Sequence, residues 1–328
     1  MRILVTGGAG YIGGAVAAVL AADGHDVEVL DDLSTGHADA VAADVPHHRL
    51  PLRRVEEVLD PTFGAVVHLA ARSLVGESME HPERYWHGNI VETLALIDAM
   101  RAAGVPRLVF SSTAAVYGDA GSEPLVEDTP TRPTNPYGAS KLAIDHMLTA
   151  EARAHGLAAV SLRYFNVAGA HGHLGERHDP ETHLIPNLLT AAQQHRSGDD
   201  YQPARIFGTD YPTRDGTAVR DYIHVSDLAE AHVLALEHAR PGTHEILNLG
   251  TGTGTTVREV VEAVREVTET DLAAEEAPRR AGDPPVLVAS GARAERLLGW
   301  VPRLGVRAMI ADAWAARTAV GSESRPDA

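Results

Sequence analysis

Cysteine is absent from this chain of 328 residues. That excludes disulfides, thiolate nucleophiles and cysteine-ligated zinc. Lysine is almost absent too: Lys141 is the only one, and every other basic residue is an arginine. Positive charge as a whole is scarce, with 28 Lys and Arg against 45 Asp and Glu, a net charge of −17. Such a balance argues against nucleic acid or an anionic membrane as partner. An anionic ligand would need a locally basic pocket. No apolar run approaches the roughly 18 residues that a membrane span requires. The start, Arg2-Ile-Leu-Val-Thr6, runs straight into a glycine loop and does not resemble a signal peptide. The cytoplasm is the expected compartment.

What is present reads as a globular protein, 44% hydrophobic and 22% charged, long enough for two lobes or one large domain. Short apolar strands are expected at Ile3–Val5, Val27–Leu30, Ala65–Leu69, Arg107–Phe110 and Ala159–Leu162. Helical patterns lie between them, at Ala15–Ala22, 89–103 and 137–155. Strands alternating with helices predict an α/β fold, a doubly wound parallel sheet of Rossmann type. From about residue 170 Gly, Pro, His and charge become dense, which predicts a smaller mixed α/β lobe. The division is expected at 1–168 and 169–328, with 222–240 returning to the first lobe as a strand and helix. The tail after about Thr318 is expected to be disordered.

Gly7, Gly10 and Gly13 stand between a strand and a helix. Glycines there allow a tight turn and close backbone approach, and the helix start offers free N–H groups to a pyrophosphate. Asp31, at the end of the next strand, completes the βαβ fingerprint. Its carboxylate would bind ribose hydroxyls and repel a 2′-phosphate, which favours NAD over NADP. A second run, Gly250-Thr-Gly-Thr-Gly254, reads instead as a strand-to-helix turn capped by Thr255 or Thr256. Tyr137 and Lys141 are four apart on a predicted helix and so share a face. A cation beside a phenol lowers its pKa, which makes Tyr137 a candidate base toward a hydroxyl. Lysine and arginine are not interchangeable in that role.

With the glycine loop, Asp31 and Tyr137-x-x-x-Lys141 in this order, the chain resembles an extended short-chain dehydrogenase/reductase. Further runs are similar to the UDP-glucose 4-epimerase family: Val75-Gly-Glu-Ser78, Phe110-Ser-Ser-Thr-Ala-Ala-Val-Tyr-Gly118, Arg163-Tyr-Phe-Asn-Val-Ala-Gly169, Asp210-Tyr-Pro-Thr213, Val219-Arg-Asp-Tyr-Ile-His224, and Ala277-Pro-Arg-Arg280 with Gly282-Asp283. The resemblance reaches to about residue 317. It implies a tightly held NAD and interconversion of UDP-glucose and UDP-galactose through a transient 4-keto sugar. Tyr137 would take the proton from the sugar O4, Thr113 would hydrogen-bond the same hydroxyl, and Lys141 would hold the nicotinamide ribose. The cofactor would lie along Gly7, Gly10, Tyr11, Ile12, Gly13, Asp31 and Asp32. Its further contacts would be Leu52, Leu69, Ala70, Ala71, Asn89, Ser111, Tyr137, Lys141 and Tyr164. The sugar nucleotide would meet Ser112, Thr113, Asn166, His183, Leu184, Phe207, Arg220, Arg280, Asp283 and Leu287. Arginines at that site would answer the charge problem by charge-assisted hydrogen bonds. The resemblance also implies a homodimer joined through a four-helix interface of helices 89–103 and 137–155, with Leu94, Ile97, Leu142 and Met147 as apolar residues to bury.

Several positions depart from the family pattern. Pro51-Leu52 stands where an acid contacts adenine, so weaker cofactor retention is expected. Ser73 replaces a lysine, and His183 an asparagine. Leu287 occupies the position where a bulky Tyr narrows the sugar pocket in some members. Rival activities are a 4-epimerase of N-acetylhexosamine or uronic sugars, a 4,6-dehydratase, and a non-catalytic NAD-binding protein. The dehydratase needs an acid and a base just after the threonine, where this chain has Ala114-Ala115. His171, His173, His178 and His183 share one loop, but their spacing is loose and no second carboxylate falls at helical spacing. No metal is expected.

Overall fold

The computed structural model describes residues 1–323 apart from Ser122, Asp199, Ala281 and Gly282. Gly282 of the Gly282-Asp283 pair therefore lies outside the described residues. Seven strands form the main sheet: β1 (Arg2–Thr6), β2 (Asp26–Leu30), β3 (His47–His48), β4 (Phe63–His68), β5 (Arg107–Thr113), β6 (Ala158–Tyr164) and β7 (His244–Leu249). Their order is β7-β6-β5-β4-β1-β2-β3, and every neighbouring pair is parallel. The chain reverses direction across the sheet between β1 and β4. In open α/β sheets such a switch point leaves a crevice beyond the strand ends for a ligand.

Strands buried on both faces need continuous apolar runs, and β1 and β4 have them. On one face pack α1 (Tyr11–Ala22) and a later helix, Val225–His238, through Val16, Leu20, Leu228 and Leu236. On the other pack α2 (Glu92–Ala103) and α3 (Pro136–His155), through Leu96, Met100, Ile144 and Leu148. The helix expected at 89–103 is preceded without a break by a π-helical turn, Trp86–Val91. The return segment is longer than expected. Besides Tyr222–His224 and the helix after it, β7 pairs with β6 as the seventh strand of the sheet.

The second lobe has its own core, where Leu188 and Leu189 meet Val260, Val264, Met309 and Ile310. These belong to α4 (Leu184–Ser197), α6 (Val257–Thr268) and α7 (Val306–Glu323), with Val225–His238 as α5. Thr256 caps α6 in a capping box with Glu259, so the second glycine run ends as the expected turn. α7 continues to Glu323, past the point where a disordered tail was expected, and 324–328 lie outside the described residues.

Three histidines in or at the edge of the core resist protonation: His68 and His232 are buried and His244 is half-buried. His68 joins Thr6 and Thr93 at 2.7 and 2.8 Å. His244 joins Thr149 and Ser161, each at 2.8 Å. His232 meets the Leu228 carbonyl at 2.9 Å. Burial pushes their imidazoles down, to about 3 for His68 and about 4 for His232 and His244. The unfolded chain takes up these protons below about pH 6.5, whereas the folded chain resists them. The stability they contribute is full above that pH and is lost as pH falls toward 4. The urea midpoint should drop markedly between pH 7 and about pH 4.5. An unchanged midpoint would contradict this account.

Candidate active site

A cleft of about 2200 Å³ runs along the carboxyl ends of the strands and between the lobes. The glycine loop forms one wall. Gly13 could not be any other residue, because a Cβ there would lie 2.0 Å from the Gly7 carbonyl oxygen. Gly7 has φ +76°, and its Cβ would meet the Ala70 nitrogen at 2.5 Å. α1 starts from Gly10 with no side-chain cap and no acid in its first turn. Its first N–H groups are therefore left for an anion. Asp31 directly follows β2, with its two carboxylate oxygens on the backbone N–H groups of Ala9 and Leu33, at 3.0 and 2.9 Å. That fixes the carboxylate at the cleft wall with lone pairs to spare. A backbone cradle, an uncapped helix start and a held acid at this spacing fit a dinucleotide. Leu52, Leu69, Ala70 and Ala71 line the same cleft, as do Tyr11, Ile12 and Asp32.

Tyr137 and Thr113 meet where β5 ends and α3 begins. Asn135 caps α3 by accepting from the Gly138 N–H at 2.8 Å, and Pro136 occupies the first turn. This sets Tyr137 in the cleft beside Thr113. Lys141 is 2% exposed. Its ammonium donates to the Ser111 carbonyl at 2.8 Å and lies 4.7 Å from the centre of the Phe110 ring. Burial lowers it to about 7, against the opposing pull of Asp145. The expectation for Tyr137 needs correcting. Burial pushes its phenol up, and only a hydrogen bond with Thr113 pulls the other way. The Lys141 ammonium hydrogen-bonds a backbone carbonyl, not the phenol. Tyr164 completes this end, sharing a hydrogen bond with the Ser111 hydroxyl. Ala114 and Ala115 follow in a 3-10 turn and offer no proton-transferring side chain.

At the far end, Arg280 lies over the Phe207 ring at 4.1 Å, and Arg220 pairs with Asp283. All four line the cleft with Asn166, His183, Leu184 and Leu287. The arginines are thus a local basic patch on an acidic chain, although Arg220 is held by one of the acids. His183 is turned toward Glu181, with Nδ1 2.7 Å from its carboxylate.

Two expected contacts are not brought into the cleft. Ser112 is fully buried behind β5, its hydroxyl 3.3 Å from Asp145 Oδ2. Alternation along a strand explains this, since its neighbours Ser111 and Thr113 face the other way. Asn89 is also buried. It bonds both backbone groups of Arg72 and the Ser140 hydroxyl, and so supports the turn after β4 from beneath. The sequence reading passed over Asp221. Its buried carboxylate accepts from the N–H groups of Thr251, Gly252 and Ala289 and anchors the strand that carries Arg220. The signal was an acid beside the buried pair Tyr222 and Ile223.

The family model described as the NAD dependent epimerase/dehydratase family matches residues 3–250. The UDP-glucose 4-epimerase of Corynebacterium glutamicum is 56% identical over 327 residues, spanning 99% of this chain and 98% of its own. The crystal structure of UDP-glucose 4-epimerase from Brucella ovis in complex with NAD superposes with a TM-score of 0.90 at 42% identity, covering 96% of this chain and 97% of that one. The one from Stenotrophomonas maltophila with bound NAD and formylated UDP-arabinopyranose gives 0.93 at 37% identity, covering 99% and 100%. Glycine cradle, Tyr137, Lys141 and whole-chain likeness agree: the chain belongs to the NAD dependent epimerase/dehydratase family, among its UDP-glucose 4-epimerases.

Proposed function

We propose that the cleft inverts C4 of a UDP-hexose, interconverting UDP-glucose and UDP-galactose through a transient 4-keto sugar. The observation that carries this reading is continuity. The glycine loop, the Tyr137–Thr113 pair and the Arg220, Arg280 and Phe207 patch line one cleft. Bound NAD would supply reversible hydride acceptance. Gly7 to Gly13 and Asp31 would hold its pyrophosphate and ribose, and Lys141 the second ribose. Tyr137, as the phenolate that a nearby ammonium favours, accepts the O4 proton and later returns it, with Thr113 orienting the hydroxyl. Arg220 and Arg280 bind the diphosphate, and Phe207 offers a ring face to the base. Release of Arg220 from Asp283 leaves its fork free for a phosphate.

The test is to incubate the purified protein with UDP-glucose, UDP-galactose and their N-acetyl forms and to separate the products. Both hexoses should reach the same mixture, and failure to convert either one sinks the reading. Leu287 lines the sugar end, half-buried against Phe165 and Ala289. It lacks a ring but fills space, so N-acetyl sugars should turn over more slowly. Shape in an apolar pocket is worth about 1–3 kcal/mol. The preference in kcat/KM should therefore be modest, and should shrink in Leu287→Ser. A wild type that prefers N-acetyl sugars would reverse the substrate assignment.

The same reading includes a homodimer. α2 and α3 lie side by side, tied by Arg101 and Glu151 at 3.1 Å. Trp86, Val91 and Leu94 are 39%, 53% and 46% exposed, a surface that a second copy would cover. Ile97 is not available for this, being buried in the core, and Met147 packs on the same core. Leu142 packs beside Phe165. Sedimentation at micromolar concentration should give a dimer, and Leu94→Glu should shift it toward monomer. A monomeric wild type would contradict the interface. Among the described residues no helix is long and apolar enough to cross a membrane, and the proposed compartment is the cytoplasm.

A further inference from the structure

The segment leading into α4 carries a cluster of ligand-type side chains to which the proposed chemistry assigns no step. Glu176, His178 and His183 each bring one ligand atom to within 4.8 Å of the other two. Histidine spacing alone argued against a metal because no carboxylate stood in register, but the fold supplies Glu176.

Two further observations point to an ion. His178 Nδ1 lies 2.6 Å from Glu176 Oε1, and this pairing raises the imidazole pKa. The contact brings an imidazole nitrogen and a carboxylate oxygen to one point, where an ion taking the place of the shared proton would draw both as ligands. His183 is held from behind. Its Nδ1 meets Glu181 Oε1 at 2.7 Å, and the same oxygen accepts from the N–H groups of Thr182 and His183, each at 2.8 Å. A carboxylate on the far nitrogen fixes a ring's tautomer and direction, as it does for metal-bound histidines. It leaves Nε2 of His183 for the ion. The rings of His178 and His183 are 5.6 Å apart.

We propose that Glu176, His178 and His183 bind one Zn²⁺-class ion, with Glu181 as the outer carboxylate and water in the fourth position. Two imidazoles and one carboxylate suit Zn²⁺, whereas Mg²⁺ and Ca²⁺ take oxygen ligands. The site lies beside the glycine loop. Arg177, between the first two ligands, pairs with Asp39 of the cofactor lobe at 2.8 Å, and His37 contacts its carbonyl at 3.3 Å. An ion there would staple a strap that crosses from the second lobe to the first. The inference does not depend on which sugar is the substrate.

The test uses the full chain, stripped with a chelator and then titrated with Zn²⁺ in a calorimeter and with Co²⁺ by visible absorption. A single saturable Zn²⁺ and the absorption bands of four-coordinate Co²⁺ are expected. His178→Ala and Glu176→Gln should abolish both signals while keeping the wild-type far-ultraviolet circular dichroism. Glu181→Gln should weaken Zn²⁺ binding by about 10–100-fold. No saturable binding by the wild type, or undiminished binding by either ligand variant, would overturn the proposal.

Discussion

Tyr137→Phe is expected to lose epimerisation by about a hundredfold or more while still purifying with NAD, since a positioned base contributes 10²–10⁴-fold. The change removes one oxygen and leaves the ring, whose edge contact with Tyr85 has centroids 6.4 Å apart. α3 should therefore be undisturbed. Asp31 is held by the Ala9 and Leu33 N–H groups, independently of this hydroxyl, so cofactor content should hold. The readouts are turnover of UDP-galactose and extractable NAD on the same sample. Near-normal turnover would remove Tyr137 as the base. Loss of NAD together with activity would mean that the residue serves binding instead.

Lys141→Arg should have the second largest effect. The ammonium occupies a point beneath the cleft, 2% exposed, with one oxygen partner and one ring face. A planar guanidinium is larger and cannot donate from that point without pushing Phe110 or β5 aside. A hydrogen bond from a charged group contributes about 1.5–3 kcal/mol, so turnover should fall roughly tenfold or more. Unchanged circular dichroism would separate this loss from unfolding. Wild-type turnover in the arginine variant would show that any cation suffices there. Its sole-lysine status would then be an accident of composition.

Much of the fold was legible because it is written in local patterns. Ile3–Val5 and Ala65–Val67 are apolar without alternation, which only strands covered on both faces require. Glycines at 7, 10 and 13 after such a strand announce a phosphate loop, because no side chain tolerates the approach to the Gly7 carbonyl. Thr256 with Glu259 three residues on is a helix start in any context. The seventh strand was harder. His244–Leu249 begins with polar residues, and only its pairing with β6 identifies it as part of the sheet.

By itself, then, the sequence determined the order of elements, the cofactor loop and the shared helical face of Tyr137 and Lys141. Each of these depends on neighbours within a turn or two of the chain. The tertiary structure decided the rest. It sent Ser112 behind the sheet toward Asp145 and put Asn89 beneath the Arg72 turn. It buried Ile97 and left Leu94 outside. It also raised the Tyr137 phenol, where spacing alone suggested a lowered one. Burial and charge pairing depend on what distant segments bring to a residue, and for this phenol desolvation outweighs the Thr113 hydrogen bond. Glu176 meets His178 and His183 for the same reason: the loop's path, and not its residue spacing, sets which ligand atoms converge.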